Sequence, residues 1–576
     1  MTTIRRRPPA DTAALPTELP PLLARVYAAR GVRSAEELDQ EFTALPPPAR
    51  LKGIDRAAEL LAAALSSDAR ILFVADFDAD GATACALGVR ALRALGARHV
   101  DYIVPNRQVH GYGLTPEIVE LAAAQHPELL ITVDNGISSL DGVAAAKARG
   151  WQVLVTDHHL PGAQLPAADA IVNPNQPGCE FPSKALAGVG VIFYVMLALR
   201  AKLRLSGWYT ACGLSEPNLA RLLDLVAFGT VADVVPLDHV NRVLVAQGLR
   251  RIRAGQCLPG IRALLEVAGR QREQVQATDI GFAIGPRLNA AGRLEDMRLG
   301  IECLLCDEPA RAGELARTLD RLNRERRDIE DEMKTAALED LGRLALDGEL
   351  PFGLCLFDAH WHQGVIGILA ARIRERTHRP TIAFAPEQAA GWLKGSARSV
   401  PGLHIRDVLD AVAATYPGLL PKFGGHAMAA GLSLRTEDYP RFTQAFDAEV
   451  RRRLSIAQLQ GVIESDGELR GAEFSAELAV ELRAGGPWGQ GFPEPLFDGE
   501  FEVLAVRVLK ERHLKLLLRP LAGGDAIDAI GFGLAETPSA EPAVGECLRV
   551  AYRLDLNEWK GRRNVQLRIE HLERPG

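Results

Sequence analysis

The tightest constraint on this chain is a cluster of three acids in six residues, Asp76-Phe77-Asp78-Ala79-Asp80-Gly81, joined further along by Thr156-Asp157-His158-His159. The acidic cluster follows the apolar stretch 71–75, which reads as a buried strand, and precedes a helix-like stretch from Ala82 onward. Its carboxylates therefore stand at the carboxyl end of a strand, where open α/β sheets place their ligands. Asp134 follows the apolar run 129–133 and Asp233 follows 225–232, and both read the same way. Four strand ends are thus expected to bring carboxylates and imidazoles to one place. A lone strand-terminal Asp is more often a helix cap, and a His-His pair is as readily a satisfied polar pair as a ligand set. It is the grouping that favours ligation.

Carboxylates that converge in low dielectric repel one another, and keeping them ionised requires a compensating cation rather than a proton. Carboxylate oxygens with one or two imidazoles suit manganese or magnesium better than zinc, whose structural sites bring thiolates. A pair of such ions ~3.5–4 Å apart can clamp a phosphodiester, acidify a water and stabilise the leaving oxygen. Phosphoester hydrolysis is the reaction these residues imply.

On these motifs the chain resembles the DHH phosphoesterase superfamily. Within that superfamily it resembles the bacterial single-strand-specific DNA exonucleases that run 5′ to 3′. The first motif spans 76–83, the second 133–136, the third 157–159 and the fourth 232–236. The resemblance implies that Asp78 binds one metal ion and Asp80 the other, that Asp134 bridges both, and that His158 and Asp233 complete the second. Asp76 is either a ligand or a support, and His159 either backs the ligands or faces the phosphate. The catalytic set is then Asp78, Asp80, Asp134, His158, His159 and Asp233, with two Mn2+ (or Mg2+) ions.

Further segments match the exonuclease family. Val104-Pro105-Asn106-Arg107, followed by Gly111-Tyr112-Gly113-Leu114, resembles a loop whose arginine approaches the 5′ phosphate. Gly285-Pro286-Arg287-Leu288-Asn289-Ala290-Ala291-Gly292-Arg293 resembles a fifth motif, with Arg287 on a backbone phosphate and Asn289 and Arg293 as weaker candidates. Trp361-His362-Gln363-Gly364, Gly395-Ser396-Ala397-Arg398-Ser399 and Phe423-Gly424-Gly425-His426 resemble the DHHA1 domain that accompanies DHH domains. Ser396 and Arg398 have the donors to grip a terminal phosphate. His362 and His426 are either substrate contacts or histidines hydrogen-bonded beside tight turns.

The segment between these domains has apolar residues at helical spacing, Leu315, Leu319, Leu322, Ile329, Met333, Ala337 and Leu341, amid dense charge. It reads as a long, partly exposed helix. Its arginines 321, 324, 326 and 327 either face DNA or, more readily, pair with the interleaved acids. Near the C-terminus, Pro487-Trp488-Gly489-Gln490-Gly491 matches another family segment, although this chain has Phe492 where the family usually has Asn. Beyond it, Leu548, Val550, Tyr552, Leu554 and Leu556 alternate with polar residues, and Val565, Leu567 and Ile569 answer them after a turn at Gly561. That is a hairpin. Its tip carries Trp559, Lys560, Arg562 and Arg563, a stacking surface with cations suited to single-stranded nucleic acid. The OB fold is what the resemblance implies for this domain.

The expected architecture is α/β: a helical cap, a DHH domain with a mainly parallel sheet, a connecting helix, an α/β DHHA1 domain and a C-terminal OB-like β-barrel. The expected bounds are 1–50 for a flexible lead and a helix over 22–41, 51–305 for DHH, 306–345 for the connecting helix, 346–455 for DHHA1 and 456–576 for the OB-like part with its preceding linker. At 576 residues, 47% hydrophobic and 24% charged, the composition is that of an ordinary globular protein. No apolar stretch reaches the ~20 residues of a membrane span, and residues 1–7 lack a signal peptide's apolar core. The formal charge of −7 is unusual for a protein that binds nucleic acid, but metal-binding acids contribute to that sum and a channel needs only local cations. The eight cysteines are scattered and read as buried thiols of a reducing cytoplasm. The resemblance implies single-stranded DNA as substrate, a helicase and a single-stranded-DNA-binding protein as partners, a monomer, and roles in recombination and repair. Two rivals share parts of this pattern: a DHH phosphoesterase of short oligonucleotides, cyclic dinucleotides or pyrophosphate, and a noncatalytic nucleic-acid-binding scaffold.

Overall fold

In a computed structural model, the described residues are 2–106, 113–346, 350–387, 389–535, 541–559 and 562–574. The chain forms two compact units, Arg6–Asn323 with Glu464–Gly576, and Met1–Arg5 with Arg324–Ile463.

The first of these units is built on a five-stranded parallel sheet in the order Val100–Ile103, Ile71–Ala75, Leu129–Val133, Gln152–Thr156, Ala170–Val172. Every residue of Ile71–Ala75 and Leu129–Val133 is buried, as expected of strands covered by helices on both faces. Leu72 and Val74 pack with Ile118, Val119, Val143 and Ala146 from the helices Pro116–Ala123 and Leu140–Ala148. Ile71, Phe73 and Ala75 face the other way, toward the helices Ile54–Ser66, Ala79–Ala94 and Gly188–Leu205. Gly88 allows that close packing, because a Cβ there would lie 2.6 Å from the Phe73 ring.

Two features of this sheet position the site. The strand order reverses on either side of Ile71–Ala75, so its carboxyl end and that of Leu129–Val133 flank a topological switch point. The register then aligns Ala75 with Val133, Val133 with Thr156, and Thr156 with Val172. The next residue in each strand, Asp76, Asp134, Asp157 and Asn173, therefore leaves the sheet in one row.

Three expectations need correction. Asp233 does not end a strand, because Leu223–Ala232 is an α-helix. That helix is buried nearly all round, so its sequence shows no amphipathic period and looks like a core strand. The N-terminal lead is not flexible: Thr2–Arg6 is a strand paired with Gly461–Ser465. The helix expected over 22–41 is shorter, Pro21–Ala29, and gives way to Gly31 at φ +87° and a series of 3-10 turns.

The same unit carries a closed five-stranded barrel in the order Phe497–Leu509, His513–Pro520, Ile527–Gly531, Arg562–Glu573, Cys547–Trp559. Only the pair Ile527–Gly531 with Arg562–Glu573 is parallel, and closure leaves no exposed sheet edge. The alternation read in the sequence fills the barrel, where Tyr552 meets Phe501 edge-on at 5.5 Å. Phe492 is buried against Trp488 at 5.1 Å, beneath the Arg242 guanidinium at 4.2 Å.

The other unit holds a second five-stranded sheet, in the order Lys422–Gly425, Ala429–Arg435, Trp392–Arg398, Thr381–Pro386, Leu354–Phe357. It is antiparallel except between the last two strands. The helices Ile366–Thr377, Ile405–Thr415 and Tyr439–Arg453 belong to the same unit. The long helix runs Pro309–Leu346; its Leu315, Leu319 and Leu322 join the core of the first unit, and Met333, Ala337 and Leu341 that of the other.

Candidate metal centre

The acidic loop is fixed before any ligand arrives. Asp78 caps the helix Ala79–Ala94, its Oδ1 accepting from the N–H groups of Asp80 at 2.9 Å and Gly81 at 3.1 Å. The N–H of Asp76 donates to Val133 O at 3.3 Å, which ties the loop to the neighbouring strand end. Gly81 is needed because a Cβ there would sit 2.6 Å from Asp76 O. The helix Gly285–Leu294 closes over the loop: Ala79 N–H donates to Asn289 Oδ1 at 2.8 Å, and a Cβ on Gly292 would collide with Phe77 O. Asn289, expected on a phosphate, uses its Oδ1 to hold the acidic loop.

Asp80 lies in the first turn of its helix and is fully buried. Its two oxygens accept from Gly188 N–H at 2.6 Å and Val189 N–H at 2.9 Å, at the positive end of the helix Gly188–Leu205. The sequence reading missed this support. Its only signal is the small-residue start Ala187-Gly188-Val189-Gly190 of a long apolar helix. Gly188 also borders Asp134, since a Cβ there would come within 2.7 Å of the Asp134 Cβ and 2.8 Å of its Oδ1. Asp134 adopts φ +62° and donates its N–H to Thr156 O at 3.0 Å, so the turn that re-aims its carboxylate is anchored in the sheet.

Asp157 organises the two histidines rather than joining the cluster. One of its oxygens accepts from the N–H groups of His158 and His159 at 2.7 and 3.1 Å and meets His159 Nδ1 at 2.8 Å; the other accepts from Ile137 N–H at 2.9 Å. Asn175 and Asn173 donate to the carbonyls of His158 and His159, at 2.6 and 2.9 Å. Both follow the short strand Ala170–Val172, and the strand-end rule that marks Asp76 and Asp134 also marks Asn173. His158 Nε2 then lies 3.0 Å from Asp134 Oδ1, 3.5 Å from Asp233 Oδ2 and 4.0 Å from Asp80 Oδ2. His159 Nδ1 is 3.9 Å from Asp134 Oδ1.

Three overlapping groups, Asp76-Asp78-Asp134, Asp80-His158-Asp233 and Asp134-His158-His159, each bring one ligand atom per residue within 4.8 Å of the others. Burial raises the Asp80 carboxyl well above its ordinary range, and repulsion from Asp233 and Asp78 adds to it. Asp134 is raised in the same way, by burial and then by Asp80, Asp78, Asp233 and Asp76. Asp233 is pushed up to about 7 by burial and by Asp78. Burial opposes charge on His159, but the hydrogen bond and charge of Asp157 prevail and raise it to about 9. Asp157 itself is held low despite its burial, chiefly by His159. Asp233 Oδ2 is buried and, among the described residues, accepts no hydrogen bond. Mutually repelling carboxylates with an unused buried oxygen, imidazole nitrogen and no thiolate fit divalent manganese or magnesium.

The remaining expected site residues lie on other elements. Arg287 is only 9% exposed; it pairs with Asp320 at 2.9 Å and donates to Ala283 O at 2.6 Å, so its guanidinium is already engaged within the fold. In the other unit, Ser396 and Arg398 lie together on the strand Trp392–Arg398, with Arg398 Nη1 3.1 Å from Ser396 Oγ. Both face Gly367 at the start of the helix Ile366–Thr377, where a Cβ would lie 2.9 Å from each side chain. His362 Nδ1 accepts from Gly364 N–H at 3.1 Å, the turn arrangement, and His426 N–H donates to Ala429 O at 2.8 Å beside a turn of its own. Arg563 is exposed in the strand Arg562–Glu573. Arg107 and Lys560, with the side chains of Trp559 and Arg562, lie outside the described residues.

Comparison with known proteins agrees with this geometry. Residues 70–230 match the DHH family N-terminal domain, 351–452 the DHHA1 domain and 465–571 the RecJ OB domain. The chain is 56% identical over 573 residues to the single-stranded-DNA-specific exonuclease RecJ of Dickeya dadantii, covering 99% of each chain. It is 54% identical over 570 residues to that of Escherichia coli K12, covering 99% of this chain and 98% of the relative. A crystal structure of RecJ in complex with Mn2+ from Thermus thermophilus superposes with a TM-score of 0.80 at 32% identity, covering 100% of this chain and 79% of that one.

Two outcomes follow from the centre. Gly188→Ala forces a methyl group against Asp134, and is expected to weaken Mn2+ binding about 10- to 100-fold in isothermal titration, with an unchanged far-ultraviolet circular dichroism spectrum. The second concerns pH. Asp233, normally near 3.8, titrates near 7 in the metal-free fold, so its contribution to stability is full below its unfolded value and is lost as pH rises through about 7. Mn2+ replaces the missing proton, so the rise in thermal midpoint caused by saturating Mn2+ should be larger at about pH 8 than at about pH 6.

Proposed function

The chain belongs to the RecJ family of DHH phosphoesterases, and from that membership and its acidic centre we propose that it is a metal-dependent exonuclease specific for single-stranded DNA. It removes 5′ mononucleotides in the 5′ to 3′ direction and serves DNA recombination and repair. The observation that carries this reading is the row of side chains at aligned strand ends, which places Asp134 3.0 Å from His158 Nε2 with Asp80 and Asp233 close by.

Asp78 would hold one divalent ion and Asp80 the other, Asp134 would serve both, and His158 and Asp233 would complete the second, with Asp76 as ligand or support. The ions are Mn2+ or Mg2+, and when bound they polarise the phosphoryl oxygens, acidify a water and offset charge on the leaving oxygen. The protein does the rest. Its raised carboxyls give up their protons on loading, and the fixed loop keeps their oxygens converged without rearrangement. His159, held protonated by Asp157, presents a positive donor to a phosphate oxygen.

Polarity is assigned to Ser396 and Arg398, with Arg107, as the grip on a terminal 5′ phosphate. Arg398 and Ser396 already touch, so their donors are oriented together and need little ordering on binding. Arg287, paired with Asp320, acts by holding its helix against the acidic loop, with Asn289 as the direct link. The barrel hairpin, through Trp559, Lys560, Arg562 and Arg563, holds the strand farther from the scissile bond. His426 is assigned as a further contact to the strand. The protein works as a cytoplasmic monomer, supplied with substrate by a helicase and a single-stranded-DNA-binding protein. Among the described residues no helix is long and apolar enough to cross a membrane.

Digestion of 5′- and 3′-labelled single and double strands, with Mn2+, Mg2+ or chelator, tests polarity, strand preference and metal need together. The expected result is stepwise loss from the 5′ end of single strands alone, abolished by chelator. Asp134→Ala should lower turnover by several kcal/mol of barrier, about 10³-fold or more, while leaving the fold and most DNA binding intact. Wild-type rates from the purified variant would refute the assignment.

A further inference from the structure

One segment beside the acidic centre has no explanation in the ligand set. Ile280–Ile284 forms a π-helix, a rare geometry that inserts an extra residue in a turn and occurs disproportionately at functional sites. Ile280, Ala283 and Ile284 turn inward and are buried, whereas Phe282 is left 79% exposed. The segment continues into Gly285–Leu294, the helix whose Asn289 holds the acidic loop.

The π-helix packs on the end of the helix that delivers Asp233. A Cβ on Gly281 would lie 3.6 Å from Val231 Cγ1, and one on Gly285 would lie 3.4 Å from Ala232 Cβ. Phe282 follows the first of those glycines, on a segment that packs against the residues immediately preceding Asp233, and its own side chain is turned to solvent. On the far side of Asp233 comes Val234, 62% exposed and at φ +63°. A β-branched residue is strained in the left-handed region, and such strain collects at functional sites. Single exposed apolar side chains need no explanation. Here one of them adjoins Asp233 in the chain and the other lies on the segment packed against the end of the same helix, each on irregular backbone.

We propose that Phe282, together with Val234, forms a stacking shelf for a nucleobase next to the scissile phosphate. This rests on the exonuclease reading and assigns it a positioning residue. A phenyl ring has no donor or charge with which to hold phosphate, but it offers a face to any base, so its contact is independent of sequence. A phosphodiester held at the acidic centre necessarily brings its own bases alongside Asp233. Bases in a duplex are already stacked and paired, so the shelf rewards only a single strand.

The test is an abasic walk. Oligonucleotides carrying one abasic residue at successive positions from the 5′ end are degraded by the wild type and by Phe282→Ala and Phe282→Trp, with KM, kcat, Mn2+ affinity and thermal midpoint measured for each protein. In the wild type, one position near the end should raise KM about 5- to 150-fold, the value of a base–aromatic stack. F282A should raise KM on the intact strand by a similar factor and show no further penalty at that position, F282W should recover most of the loss, and Mn2+ affinity should be the same in all three. The proposal is overturned if the abasic penalty persists undiminished in F282A, if no position is sensitive while the wild type still degrades the strand, or if F282A acts by weakening Mn2+ binding. Failure of the wild type to degrade any intact single strand would instead remove the exonuclease reading, and the shelf with it.

Discussion

Everything at this centre depends on a conflict between like charges that the sheet enforces. The register that matches Ala75, Val133, Thr156 and Val172 across neighbouring strands leaves the chain no choice about where Asp76, Asp134 and Asp157 emerge. Helices cover both faces of the sheet, so these acids emerge into low dielectric rather than water. Burial and mutual repulsion then raise Asp80, Asp134 and Asp233 together, and a divalent cation bound among them would relieve all three at once. Folding thus stores an electrostatic cost that metal binding removes.

Holding repelling groups in place takes rigid supports, and the supports here are mostly backbone. The two oxygens of Asp80 rest on the N–H groups of Gly188 and Val189, where the helix end supplies partial positive charge. Asp157 collects N–H groups from Ile137, His158 and His159 and keeps the imidazole of His159 charged. Asn289 and Gly292 press the far side of the loop. Phe282 and Asn289 lie about two turns apart on one continuous helical segment, which links the positioning of the acidic loop to the proposed shelf for the base.

The parallel strands were legible in the sequence because they are covered on both faces: 71–75 and 129–133 are unbroken apolar runs and match the observed strands Ile71–Ala75 and Leu129–Val133. The same property misled at Asp233, since a helix buried on all sides loses its period as thoroughly as a core strand does. The grouping of acids and imidazoles was legible because these are distinctive residue types. The roles of Gly188 and Val189 were not, because backbone N–H groups leave no mark on residue identity. The bond from Ala79 N–H to Asn289 Oδ1 was not legible, since a motif shows which residues gather and not which atoms they touch. Thr2–Arg6 pairs with a strand at the other end of the chain, and no local pattern announces such a partner.

The central claim is that one carboxylate, Asp134, is shared by two divalent ions. Electron paramagnetic resonance of the protein loaded with two equivalents of Mn2+ tests it directly, because ions bridged by a common ligand couple their spins. The account predicts a coupled spectrum in the wild type that disappears in Asp134→Ala. Spectra of isolated ions in the wild type, or coupling that survives the loss of Asp134, would contradict it.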